Sequence, residues 1–218
     1  MFSVLLTLFM AATPPIGYQE AVNAVAALEE ELRRKSYESY LISQRVDLPV
    51  FRNMQVWNQK SGQWDALPAN GEAGIGARVR VVHLWAHYCE PCQREFPWLR
   101  VLVQRAQSKY KGKVQYLFVA EDTTSEVMRG YQAKHKDLLP EGRLYHDTQG
   151  QLRDALRPGL PGGEMKLPTT LLIDEKGVIR QAFVGPLSEP NDRRPELLAA
   201  IERLLALPPQ EAAGRPLP

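Results

Sequence analysis

The chain holds two cysteines, three positions apart in Cys89-Glu90-Pro91-Cys92. A bridge across so short a loop removes little entropy from the unfolded chain, so the pair does not serve stability. Two chemistries remain: a dithiol that exchanges with other disulfides, or a pair of thiolate ligands for a soft metal ion. The attacking species in thiol–disulfide exchange is the thiolate, so exchange needs surroundings that lower a thiol pKa. His83 and His87 stand just before the pair and add a second kind of titratable group, while His135 and His146 have no readable partner.

The flanking residues read as elements able to supply those surroundings. Arg78 to Trp85, with Val81, Val82 and Leu84, has the character of a buried strand. Beyond the pair, Phe96, Leu99, Val103, Ala106 and Tyr110 repeat at three, four, three and four residues, the apolar stripe of a helix. Lys111-Gly112-Lys113 ends it. Cys89 therefore sits where strand gives way to helix, facing unpaired N–H groups and the positive end of the helix dipole. Cys92 falls in the first turn within reach of Cys89, and Pro91 suits that turn because its missing N–H would be unbonded anyway. Cys89 is the expected attacking thiol and Cys92 the resolving one.

Other segments fill out a mixed α/β domain. Met54–Trp57 and Gln63–Leu67 flank a polar loop ending in Gly62, a hairpin signal. Val114–Ala120 reads as a second buried strand and Ser125–Lys136 as a helix. Leu144–His146 reads as a short extended piece and Gln151–Leu156 as a short helix. Arg157–Leu167, rich in Gly and Pro, is irregular. Thr169–Asp174 and Val178–Val184, joined by Glu175-Lys176-Gly177, form an antiparallel hairpin. A last helix starts near Pro195, with Asn191 or Asp192 as cap and Leu197, Leu198, Ile201, Leu204 and Leu205 inward. Asp122 and Asp147 read as capping residues. Before the domain, Ala21 to about Arg34 has helical spacing, with Glu29/Arg33 and Glu30/Arg34 as i,i+4 pairs. The organisation expected is a possible signal or anchor over 1–20, a helical arm over 21–47, the domain over 48–207 and a disordered tail over 208–218.

At the cysteine pair the chain resembles a known family. Val82-His83-Leu84-Trp85-Ala86-His87-Tyr88-Cys89-Glu90-Pro91-Cys92-Gln93-Arg94-Glu95-Phe96-Pro97 looks like the active-site region of the thioredoxin superfamily, in particular its TlpA/ResA branch of thiol–disulfide oxidoreductases. Leu167-Pro168-Thr169-Thr170-Leu171-Leu172-Ile173-Asp174 is similar to the superfamily's cis-proline loop and following strand. The resemblance implies a thioredoxin-like mixed β-sheet flanked by helices. It also implies a cis Pro168 against the cysteines, with Leu167 presenting backbone to a bound peptide. Trp85, Tyr88 and Pro91 belong to the same substrate-facing region. Glu95 matches the family's acidic residue, one helical turn past Cys92, where its carboxylate can approach the sulfurs or instead lie on the solvated surface beside Arg94 or Arg100. His83 stands where thioredoxins carry a buried Asp. A neutral imidazole there can relay the proton of Cys92, or simply bond a backbone carbonyl. His87 near Cys89 can favour the thiolate when protonated, or lie in an exposed loop.

The implied function is disulfide exchange, in the reductive direction, with cysteine-bearing protein substrates outside the cytoplasm such as apocytochromes c, together with a redox partner protein. No cofactor is needed, because the dithiol is itself the redox centre, and the chain is expected to act as a monomer. Phe2–Ala12 is an apolar run of signal-peptide length, though no Lys or Arg precedes it, so membrane anchoring, export and a buried or frayed terminus all fit. With 44% hydrophobic and 24% charged residues and a net charge of +2, interspersed rather than clustered, the sequence gives no reason to propose nucleic acid. The alternative reading is a thioredoxin-fold copper or zinc protein using His87-x-Cys89-x-x-Cys92, but no second Cys or His cluster closes a four-ligand site. The Thr-x-x-Cys pattern of a thiol peroxidase is absent, since Ala86 stands three before Cys89.

Overall fold

Every residue of Val79–Trp85 is buried, as a strand covered on both faces must be. In the computed structural model, which describes residues 16–67, 76–121, 123–135, 144–157, 160, 164–188 and 191–208, this strand is β3, an interior strand of a seven-stranded sheet, between β4 and β6. The other strands are β1 (Gln55–Asn58), β2 (Gln63–Ala66), β4 (Val114–Ala120), β5 (Leu144–His146), β6 (Thr169–Asp174) and β7 (Ile179–Val184). The sheet order is β2-β1-β5-β4-β3-β6-β7. Strands β3, β4 and β5 run parallel, while β1 and β6 are antiparallel to their inner neighbours, giving the mixed sheet expected. The helices are α1 (Ile16–Leu41), α2 (Glu90–Tyr110), α3 (Ser125–Lys134), α4 (Gln151–Leu156) and α5 (Arg194–Ala206), with a 3-10 turn over Leu48–Arg52.

Strand alternation sorts the core into two layers. Val79, Val81 and Trp85 point into one, with Cys92, Phe96, Leu99 and Val103 of α2 and Leu197 and Ile201 of α5. Val82 and Leu84 point into the other, with Phe51, Leu152, Ile173 and Ile179. All five residues of the α2 stripe are buried, and the helix ends with Lys111 and Gly112 both left-handed (φ 48° and 81°). In α5 the buried set is Leu197, Ala200, Ile201 and Leu204, with Leu198 and Leu205 only partly covered.

Several expectations need correction. Helix α1 extends beyond both ends of the stretch from Ala21 to about Arg34 read from its spacing. The chain divides into compact units at Ser36/Tyr37, so Tyr37–Leu41, the end of α1, belongs to the second unit with the sheet. The arm's ion pairs include Arg33–Glu30 (3.4 Å) and Arg34–Glu31 (2.5 Å), at i,i+3 spacing. The cap of α3 is Thr124, whose hydroxyl accepts from Val127 N–H (3.3 Å). Asp147 does cap α4, accepting from the N–H groups of Gln151 and Leu152 (3.0 and 2.7 Å). The residue flanking α5 is Arg193, and Asp192 accepts from Arg194 N–H (3.1 Å). Phe2–Ala12, Asp122 and the tail from residue 209 lie outside the described residues. No helix among the described residues is long and apolar enough to cross a membrane.

The end of the sheet away from the cysteines holds a buried ion pair that the sequence does not announce. Asp174 accepts from Arg180 Nε at 2.8 Å, with both side chains almost fully buried. The same carboxylate accepts from Lys176 and Val178 N–H (2.8 and 2.9 Å), fixing the β6–β7 turn. A buried guanidinium deprived of its carboxylate is strongly destabilising. Asp174→Ala is therefore expected to cost about 3 kcal/mol in urea unfolding, and Asp174→Asn, which keeps the turn acceptor, less.

Candidate active site

Cys89 flanks the N-terminus of α2 with extended backbone (φ −82°, ψ 94°), and Glu90 and Pro91 begin the helix. Its position follows from β3: Trp85 ends the strand, and Cys89 N–H closes a turn on Ala86 C=O (3.0 Å). Gln93 N–H donates to Cys89 C=O (3.1 Å), and Gln93 Nε2 donates to His87 C=O (2.6 Å), pinning the loop ahead of the helix. Cys89 and Cys92 are joined as a disulfide with S–S 2.01 Å. Cys92 N–H donates to Cys89 Sγ at 3.3 Å, so the Cys89 sulfur is the side-chain acceptor at the start of a 21-residue helix. Cys89 retains 7% exposure and Cys92 none.

Pro168 is buried, and the Leu167–Pro168 peptide bond is cis, as the resemblance implied. β6 begins at once beyond it, and Thr169 stands beside Leu84 in the β3–β6 register. Pro168 C=O accepts from Gly185 N–H (2.9 Å), tying the loop to the segment that leaves β7. Gly185 has φ 85°, a conformation that favours glycine.

His83 is buried on the α2 face of the sheet, between the rings of Phe96 and Phe118 (centroids 6.4 and 5.8 Å). Its Nδ1 lies 2.9 Å from Thr170 Oγ1, a partner that sequence reading missed although it stands two residues past Pro168. Nε2 has no hydrogen-bond partner among the described residues. Burial pushes the imidazole pKa down to about 3, so the ring is neutral at physiological pH.

Glu95 is 2% exposed, so the solvated surface position considered for it is not the one observed. Its Oε1 accepts from the backbone N–H of Leu187 and from that of Ser188 (3.2 Å), both beyond β7. Arg94, the surface partner weighed for Glu95, instead pairs with Glu90 at 2.9 Å. Trp85, expected near the substrate, is fully buried against Phe96 and Tyr131 (centroids 4.9 and 5.4 Å). It supports the site from below. Tyr88 is 64% exposed beside Cys89, Pro91 and Leu167 are half-buried, and His87 is half-buried with its ring edge-to-face on Tyr88 (5.2 Å).

Among the described residues no group of three or more His, Cys, Asp or Glu side chains is arranged to hold a metal ion. A cleft lined by Leu84, Val119, Glu121, His146 and Arg153 opens at the carboxyl ends of β3, β4 and β5, and includes none of the candidate residues.

Comparison with known proteins gives the following. The family model described as AhpC/TSA matches residues 71–182. Thiol-disulfide oxidoreductase ResA of Oceanobacillus iheyensis is 29% identical over 108 residues, 50% of this chain and 50% of the relative. Thiol:disulfide interchange protein DsbE of Pseudomonas fluorescens biotype C is 30% identical over 118 residues, 54% of this chain and 58% of the relative. The chain thus spans little more than half the length of these relatives. Among solved structures, the thioredoxin-related protein from Neisseria meningitidis serogroup B superimposes with a TM-score of 0.50 at 22% identity, over 71% of this chain and 99% of that one. That likeness identifies the fold as thioredoxin-like.

Proposed function

We propose that this chain, which belongs to the AhpC/TSA family, is a thiol–disulfide oxidoreductase working through the Cys89–Cys92 pair. The observation that carries this reading is a disulfide at the N-terminus of α2 between Cys89, which keeps slight exposure, and the fully buried Cys92. Reduced Cys89 sits where helix N–H groups favour its thiolate. The thiolate attacks a substrate disulfide, forming a Cys89–substrate mixed disulfide and releasing one substrate thiolate. Cys92, deprotonated, then attacks Cys89 Sγ, releases the second substrate thiolate and leaves the oxidised pair. Two electrons pass to the substrate, and an external dithiol restores the chain. The reductive direction rests on the resemblance of Cys-Glu-Pro-Cys to the ResA type.

His83 relays the proton of Cys92 rather than holding it, because burial disfavours the imidazolium. When Nδ1–H donates to Thr170 Oγ1, Nε2 carries the lone pair, the form able to accept. Tyr88, Pro91, Leu167 and Pro168 form the rim that receives the substrate chain. Glu95 serves this rim through the backbone of Leu187 and Ser188. Glu95→Ala strips two N–H groups of a charged acceptor and is expected to lower stability by about 3 kcal/mol, whereas Glu95→Gln retains one oxygen and costs about 1 kcal/mol. The check is urea unfolding, together with the pH dependence of Cys89 alkylation. A Cys89 pKa unchanged by Glu95→Gln supports the tether, and a drop of more than about one unit would make Glu95 a charge that acts on the sulfurs.

Substrates are cysteine-bearing proteins outside the cytoplasm, where disulfides persist. Phe2–Ala12 serves as export signal or anchor, and one chain is the working unit. The deciding experiment is a two-electron titration of the pair by thiol alkylation across a redox-buffer series, with chelator present. A midpoint at or below about −220 mV fits a reductase, and about −120 to −180 mV an oxidase or isomerase. Thiols protected until metal is stripped would replace this reading with metal binding.

A further inference from the structure

The segment leaving β7, Val184–Ser188, is held by three acceptors from distant parts of the chain. Gly185 N–H goes to Pro168 C=O (2.9 Å). Leu187 and Ser188 N–H go to Glu95 of α2. The third acceptor is Glu38, near the end of α1, whose Oε1 accepts from Val184 N–H at 2.9 Å. The same oxygen accepts from Arg193 Nη1 at 2.7 Å, and both side chains are close to nine-tenths buried. Arg193 in turn lies over the Phe183 ring (4.8 Å) and donates its own N–H to Leu187 C=O (2.6 Å). One residue before Glu38, the Tyr37 ring lies beneath Lys166 Nζ (5.0 Å), two residues ahead of Pro168.

We infer that Glu38 is a positioning residue for the substrate rim, holding the Val184–Ser188 segment, and through it the Pro168 loop, in register with the cysteines. The inference rests on the oxidoreductase reading for its functional consequence only. Glu38 lies outside residues 71–182, so nothing in the family match assigns it a role. Anchoring the end of α1 does not need a charge, because Leu41, fully buried, already supplies apolar contact. A buried carboxylate is costly to desolvate and must be matched by directional donors. Here the donors are the rim's backbone and the cation that also grips Leu187. Glu38 and Glu95 thus hold the two ends of one short segment, while Pro168 holds its middle. Displacement of that segment moves the groups a bound peptide meets without touching the sulfurs.

The test uses the full chain as wild type, Glu38→Gln, Glu38→Ala and Glu38→Leu, the last filling the space without an acceptor. Amide hydrogen exchange is read by mass spectrometry on segments 164–170 and 184–188. KM and kcat are measured with insulin as protein disulfide, and the direct rate with dithiothreitol. With the acceptor lost, exchange in both segments should quicken about tenfold and KM for insulin should rise about tenfold. The kcat and the dithiothreitol rate should not change. Glu38→Gln, which keeps an oxygen for Val184 N–H, should stay within about twofold of wild type. If Glu38→Ala does not fold, Glu38→Leu carries the same expectation. Faster exchange confined to 37–41 and 191–196, with 164–170 unmoved, would overturn the inference. So would an unchanged KM alongside a lowered melting temperature. Loosening of both segments in a chain whose wild type exchanges no disulfide would sustain the clamp and remove the oxidoreductase reading.

Discussion

Cys92→Ser should stop the reaction at the mixed disulfide, so that substrates accumulate covalently on Cys89, while Cys89→Ser should trap nothing. Cys89 is the less buried of the two and sits at the helix N-terminus, whereas Cys92 is fully buried and can reach only what Cys89 brings to it. With Cys92 replaced, attack still occurs and resolution does not. With Cys89 replaced, no thiolate faces the substrate, and exchange should fall by more than about a thousandfold. Non-reducing gels with cysteine-bearing proteins read both variants directly. Equal trapping by the two would mean that burial does not rank the sulfurs, and the assignment would fail.

The second large effect is on acid stability. His83 is neutral in the native state down to about pH 3 because of burial, but the unfolded side chain takes up its proton near 6.5. Above that value both states are neutral and the residue adds no slope. As pH falls from about 6.5 to about 3, the unfolded state binds a proton that the native state does not, and stability is lost. The loss reaches about 2 kcal/mol at pH 5 and about 4–5 kcal/mol by pH 3. His83→Asn removes the titrating group, so urea unfolding at pH 7 and pH 4.5 should differ less for the variant than for wild type. An equal difference in both would show that other groups govern the acid limb. The same variant tests the relay, since it should slow release of the Cys89 mixed disulfide at neutral pH. An unchanged rate would leave His83 a buried residue bonded to Thr170 and no more.

What was legible in the sequence was what depends on neighbours along the chain. The apolar stripe from Phe96 to Tyr110, the turn at Glu175-Lys176-Gly177 and the placement of Cys89 at a strand-to-helix junction each follow from local spacing, and each is seen. Local spacing does not reveal what a charged side chain meets across the fold. Glu95 read as either a group near the sulfurs or a solvated one, because its partners Leu187 and Ser188 lie more than ninety residues away. Asp174 and Arg180 are six residues apart on paired strands, and only the covered sheet makes their charges buried. The end of α1 was missed for a related reason. Its periodic stretch ends near Arg34, and Tyr37 and Leu41 become core residues only through packing against strands far along the chain. The resemblance puts Trp85 in the substrate-facing region, but alternation along β3 turns it inward.

The holding of Val184–Ser188 also sets an order on biosynthesis. Glu38 and Val184 are 146 residues apart, and Glu95 and Leu187 are 92 apart. A growing chain therefore exposes both cysteines well before the segment that completes the rim has been made. Contacts of such long separation are slow to close and are won last. During that interval the two thiols can react with each other or with small oxidants, while the proposed rim is still incomplete. On the proposed reading, the rim for a substrate chain is therefore complete only once the C-terminal hairpin and the last helix have been made.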